Sequence, residues 1–173
     1  MELYLVDHNP DLVEEWRKAF HGMDSIYCEC NNILDIAENT IVSPANSYGF
    51  MDGGIDRLYT DFFGLRPQTE VQQAITGQEE GFLPVGSAVL VNTGHSRIPY
   101  MISAPTMMLP GAVPPSNCFF AMSAILLIAK RNVEKVKKVY CPGLGTGTGR
   151  VSPDLAAREM SHAYIKWKNR DNI

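Results

Sequence analysis

Two stretches of this 173-residue chain run from an apolar, strand-like segment straight into small residues. The first is Thr40-Ile-Val-Ser-Pro-Ala-Asn-Ser-Tyr-Gly-Phe-Met-Asp-Gly-Gly-Ile-Asp56. The second is Val139-Tyr-Cys-Pro-Gly-Leu-Gly-Thr-Gly-Thr-Gly-Arg150. A glycine-rich strand exit lets backbone amides approach a ligand with no side chain in the way, and a helix starting behind it adds the positive end of its dipole. One such loop is an ordinary strand-to-helix connection. Two in one short chain call for a fold that opens both onto a single cleft, and a diphosphate is the ligand such a cleft suits.

The rest of the chain alternates in kind. Leu3–Asp7, Ser25–Cys30, Thr40–Ala45, Val85–Asn92, Pro99–Ala104 and Lys137–Cys141 read as strands. Asn9-Pro10-Asp11 reads as a cap, a first-turn proline and an acidic first turn, opening a helix to about Phe20. Asp56–Phe63 and Pro67–Gly77 read as helical pieces broken at Gly64 and Pro67. Ser116 or Asn117 caps a helix, apolar nearly all round to Ala129, and Ser152-Pro153-Asp154 opens a last one. The expected architecture is α/β in a single domain, residues 1–173, with a largely parallel sheet.

Composition limits the partners. The formal charge of −4 and the lack of a basic run argue against binding a nucleic-acid backbone. The amino terminus does not read as a signal peptide, and the longest apolar run, Cys118 to Ala129, is too short to cross a bilayer. Cys28, Cys30, Cys118 and Cys141 sit in apolar contexts without a second pair to complete a zinc set. A cytoplasmic protein without membrane, metal or cofactor is expected.

Familiar phosphate motifs fail on the glycine loops. No lysine follows either loop as a P-loop requires, and Gly143, Gly145, Gly147 and Gly149 recur at every second residue, unlike the dinucleotide fingerprint. The loops instead resemble those of macro domains. Ile41-Val-Ser-Pro-Ala-Asn46 with Gly53-Gly-Ile-Asp56 is similar to the family's first signature, and Pro142-Gly-Leu-Gly-Thr-Gly147 to its second loop. Leu83 to Val89 and Pro99 to Pro105 resemble the intervening strands in the right order, so the likeness covers roughly residues 25 to 165.

The resemblance implies a three-layer α/β/α sandwich with a mixed, largely parallel sheet that binds ADP-ribose at the carboxyl ends of its strands. It implies that Gly53, Gly54 and Ile55 wall one side of the phosphate site, and that Gly145, Thr146, Gly147, Thr148 and Gly149 cradle the other. In the hydrolase branch Asn46 would orient the distal ribose hydroxyls and Asp56, or a substrate phosphate, would position a water. The implied substrate is an O-linked or small-molecule ADP-ribose derivative, or an ADP-ribosylated protein. A sensor that binds the nucleotide without turnover is the alternative. On residue type alone, Asp56 reads more simply as an acidic first-turn residue, and Asn46 as a turn residue. The family's lysine-adduct branch is excluded by the absence of lysine between Lys18 and Lys130.

Three departures stand out. Asn32 occupies the place of the family's adenine-reading aspartate, with Asp35 nearby. Gly149 falls where an aromatic often covers the distal ribose, so Tyr48 or Phe50 would have to cover it. The chain also stops after its last helix, where many macro domains add a strand. His95 is the remaining acid–base candidate, and a turn histidine is the simpler reading.

Overall fold

A computed structural model describes residues 1–171. The elements are β1 (Glu2–Asp7), α1 (Pro10–Ala19), β2 (Ile26–Cys30), α2 (Ile33–Ile36), β3 (Thr40–Ser43), α3 (Gly54–Phe63), α4 (Arg66–Thr76), β4 (Val89–Asn92), β5 (Tyr100–Ser103), α5 (Ser116–Arg131), β6 (Lys138–Cys141) and α6 (Pro153–Asp171). They form one six-stranded sheet in the order β2-β1-β6-β3-β5-β4. Every pairing is parallel except that of β4 with β5 at one edge.

Alternation along the strands builds the three layers, because successive side chains leave a strand on opposite faces. Leu3, Leu5, Val42, Ile102, Val139 and Cys141 pack into one core with α1, α5 and α6. Their neighbours Val6, Ile41, Met101 and Tyr140 pack into the other, with Tyr59 of α3 and with Val71 and Ile75 of α4. The sandwich inferred from the sequence is therefore the one observed.

β1 lies inside the sheet, parallel to both β2 and β6, with Tyr4 opposite Tyr27 on one side and Tyr140 on the other. Asn9 then caps α1, its Oδ1 accepting from the Asp11 amide at 3.1 Å.

Some boundaries differ from the sequence reading. The run from Val85 becomes strand only at Val89, because Gly86 has φ +98° and Ser87 N–H donates to Pro84 O in a turn. α5 has no side-chain cap: Ser116 is already helical, and Asn117 Nδ2 donates to Thr106 O at 2.9 Å. The second glycine loop does not lead directly into a helix, since Arg150 to Ser152 intervene before Pro153.

Candidate functional site

A cavity of about 780 Å³ opens where the parallel strands end. Asp7 ends β1 there and His8 and Asn9 follow it, Asn31 and Asn32 follow β2, and Pro44 and Asn46 follow β3. Thr106 and Met107 arrive from β5, and Pro142, Gly143 and Gly145 to Gly149 from β6. This is where open α/β sheets hold ligands, because loops diverge there and leave a crevice. Asn46, Asp56, Asn32, Gly53, Gly54, Ile55, Gly145, Thr146, Gly147, Thr148 and Gly149 all line it. Residues separated by a hundred positions thus face one space.

The first loop is held rigidly. Asn46 Oδ1 accepts from the Tyr48 amide at 3.0 Å and the Phe50 amide at 3.4 Å, while its Nδ2 donates to Phe50 O at 2.8 Å. Gln68 Oε1 accepts from Met51 N–H, and Thr60 Oγ1 donates to Met51 O. Gly49 has φ +72°, and a Cβ there would lie 2.8 Å from Val71 Cγ1, so α4 packs flush against the turn. The loop ends at Gly53, which begins α3 without a side-chain cap. The first-turn amides of α3 therefore have no capping side chain where Gly53, Gly54 and Ile55 border the cavity, as an anion site requires.

Asp56 is the unusual group. It is only 6% exposed, yet it borders the cavity. Ser43 Oγ donates to its Oδ1 at 2.6 Å. Burial pushes its carboxyl up to about 6, the Ser43 hydrogen bond opposes that shift, and the nearby Asp52 carboxylate adds to it. Below it, the buried Tyr59 hydroxyl donates to Val42 O at 3.0 Å and fixes α3 against β3.

The second loop is shaped from beneath. Gly143 N–H donates to Asp7 Oδ2 at 3.1 Å, Val151 N–H to Gly145 O at 2.9 Å, and Val113 N–H to Gly149 O at 3.0 Å. A Cβ on Gly149 would lie 2.6 Å from Gly145 O and 2.9 Å from Val113 Cγ2. Gly149 is thus not an emptied slot for an aromatic: the loop leaves no room there for any side chain. From the first loop Phe50, 54% exposed, reaches the cavity, whereas Tyr48 packs towards Phe82.

At the opposite end, Asn32 lines the cavity but caps α2, its Oδ1 accepting from Leu34 N–H at 3.1 Å. Asp35 is exposed and does not line the cavity. Arg97 holds this end from outside: its Nη1 and Nη2 each donate at 2.8 Å, to Ala37 O and Leu34 O. Arg97→Ala is expected to cost about 1 kcal/mol, since these bonds are charge-assisted but solvent-exposed. Calorimetric melting would read that loss, and amide exchange over residues 31–36 should rise with it. His95 lies off the cavity, its Nδ1 accepting from the Arg97 and Ile98 amides in a turn against Phe62.

Asp7, Ser43 and Asp52 went unremarked in the sequence. A serine ending an otherwise apolar strand was the available signal for Ser43, because a buried hydroxyl needs a partner. Asp7 ends the strand whose place in the sheet only the fold reveals. Among the described residues no cluster of His, Cys, Asp or Glu could hold a metal ion, and no helix is long and apolar enough to cross a membrane.

A three-layer sandwich with a glycine-walled cleft at the carboxyl ends of its strands defines a class of α/β/α folds, and the comparisons narrow it. The Macro domain family profile matches residues 42–160, so the chain belongs to the macro domain family. An uncharacterized protein of Aquifex aeolicus is 35% identical over 137 residues, 79% of each chain. One of Aeropyrum pernix is 30% identical over 133 residues, 76% of this chain and 66% of the relative. The macrodomain of Mycobacterium tuberculosis DarG shares the fold with a TM-score of 0.67 at 17% identity, covering 79% of this chain and 88% of that one. A glycine-to-valine variant of the Oceanobacillus iheyensis macrodomain, solved with ADPR, gives 0.66 at 18% identity over 79% and 74%.

Proposed function

We propose that the protein binds ADP-ribose, or a related adenine diphosphate nucleotide, in this cleft and hydrolyses an ADP-ribose derivative or an ADP-ribosylated substrate. The observation carrying the proposal is a buried carboxylate, Asp56, bordering the same cavity as two glycine loops. The amides of residues 53–55 and 145–149 suit a diphosphate, because they offer donors without net charge and the glycines among them put no Cβ in the way. A related arrangement supports the residue choice. The Oceanobacillus iheyensis macrodomain has been solved with substitutions at an asparagine, a glycine seven residues on and an aspartate three further, which is the spacing of Asn46, Gly53 and Asp56.

In this reading Asp56 accepts a proton from the water that attacks the anomeric carbon, and a carboxyl titrating near 6 is well matched to that task at neutral pH. Ser43 fixes which carboxylate oxygen turns inward. Asn46 fixes the loop, and the second hydrogen on its Nδ2 remains for a ribose hydroxyl. A binding module without turnover is the second reading, favoured by the degree to which the Asn46 amide is already engaged by its own loop.

Isothermal calorimetry with ADP-ribose should show one saturable site. Release of ADP-ribose from modified protein should accompany it. Binding without release leaves the sensor reading. No heat with ADP-ribose, AMP or NAD removes both.

A further inference from the structure

The distal end of the cleft holds a combination that a diphosphate and two riboses do not explain. Phe50 and Leu58 line the cavity while remaining 54% and 56% exposed. Asp52, two residues beyond Phe50, lines it as well, and its charge acts on Asp56. Among the described residues, no lysine or arginine lines the cavity, and Asp52 forms no salt bridge. An aromatic face and an unpaired carboxylate on one wall, beside a second carboxylate, suit a flat, weakly hydrated cation. A neutral acceptor would use the ring but not Asp52. An anionic acceptor would be repelled by both carboxylates.

We propose that this wall is a subsite for a cationic planar group carried on the distal ribose, a pyridinium or a guanidinium, seated against Phe50 and facing Asp52. The proposal rests on the nucleotide reading above and names its substrate class: nucleotides linked through nitrogen to a cation, in place of the O-linked derivatives that the resemblance implies. Recognition alone is at issue, and no covalent step is assigned to Asp52.

NAD⁺ and NADH differ in the charge of the ring at nearly constant shape, so their affinities isolate the charge. NAD⁺ is expected to bind about tenfold more tightly than NADH, the combined effect of an aromatic face and a partly exposed ion pair. Asp52→Asn should reduce that ratio to about threefold or less, and Phe50→Leu should reduce it similarly, with melting curves confirming that both variants fold. ADP-ribosyl-agmatine against ADP-ribose extends the test to a guanidinium, and Asp52→Asn separates the charge from the added contact area there. A preference in that arm alone assigns the subsite to guanidinium, and in the NAD⁺ arm alone to pyridinium. The proposal is overturned if neither cationic compound outbinds its neutral counterpart, or if the preference survives Asp52→Asn. Should ADP-ribose itself fail to bind, the nucleotide reading falls, and the subsite with it.

Discussion

Asp56→Asn is expected to make the protein more stable at neutral pH while lowering turnover of ADP-ribosylated substrate by about a hundredfold or more, the range of a lost general base. The stability half follows from the buried carboxyl. Its folded value of about 6 lies above the ordinary 3.8, so the folded state holds its proton more tightly than the unfolded chain does. Stability therefore falls as pH rises from about 4 to about 6, and the full penalty persists above that window. A shift of roughly two units corresponds to about 3 kcal/mol. Asparagine keeps an acceptor for the Ser43 hydroxyl and carries no charge, so most of that penalty should disappear. In a chain of this size the gain would appear as a rise of about 4–8 °C in Tm at pH 7.5, and as none near pH 4.

The two halves check each other. A position where the catalytically active residue is also the less stable one is the usual mark of a functional compromise. The wild-type pH profile of kcat/KM should climb to about pH 6 and then level, because the ionised form is the base. Unchanged turnover in the variant would remove Asp56 from the chemistry. A loss of stability at pH 7.5 would mean that its charge is better solvated by the first turn of α3 and Ser43 than its burial indicates.

The sequence showed the layers of this fold more clearly than their order. Leu3 and Leu5 alternating with Tyr4 and Val6 already distinguish two faces of β1, since side-chain direction is local. Nothing local says that β1 should lie between β2 and β6, because pairing is decided by what the whole sheet buries. The glycine loops were legible as loops because glycine and proline punctuate structure wherever they occur. What lies under them was not. Asp7 reaches Gly143 across 136 residues, and Arg97 reaches Leu34 across 63. Asn32 was singled out by the resemblance alone, and its cap on α2 depends on a helix of only four residues, which is too short for a periodic signal. Gly149 invited comparison with an aromatic in related chains, and only the backbone of Gly145 shows why a side chain is excluded there.

That exclusion makes Gly149→Ala the second large effect. The new Cβ would meet Gly145 O at 2.6 Å and Gly145 Cα at 3.0 Å, and backbone yields less easily than a side-chain tip. The same carbonyl accepts from Val151 N–H, and the Gly149 carbonyl accepts from Val113 N–H, so relief must disturb at least one of these bonds. Overpacking of this kind costs about 1–3 kcal/mol, and the displaced amides belong to the proposed diphosphate cradle. Affinity for ADP-ribose should therefore fall by about tenfold or more together with the melting temperature. Gly147→Ala separates the two consequences. A Cβ at 147 meets nothing within 4 Å and the backbone there is not left-handed, yet the residue lines the cavity. Its melting temperature should remain that of the wild type while ADP-ribose binding weakens. If both variants bound ADP-ribose as the wild type does, the second loop would be no part of the nucleotide site. If Gly147→Ala alone lost binding, the loop would be shown to touch the ligand directly and to tolerate the strain at 149.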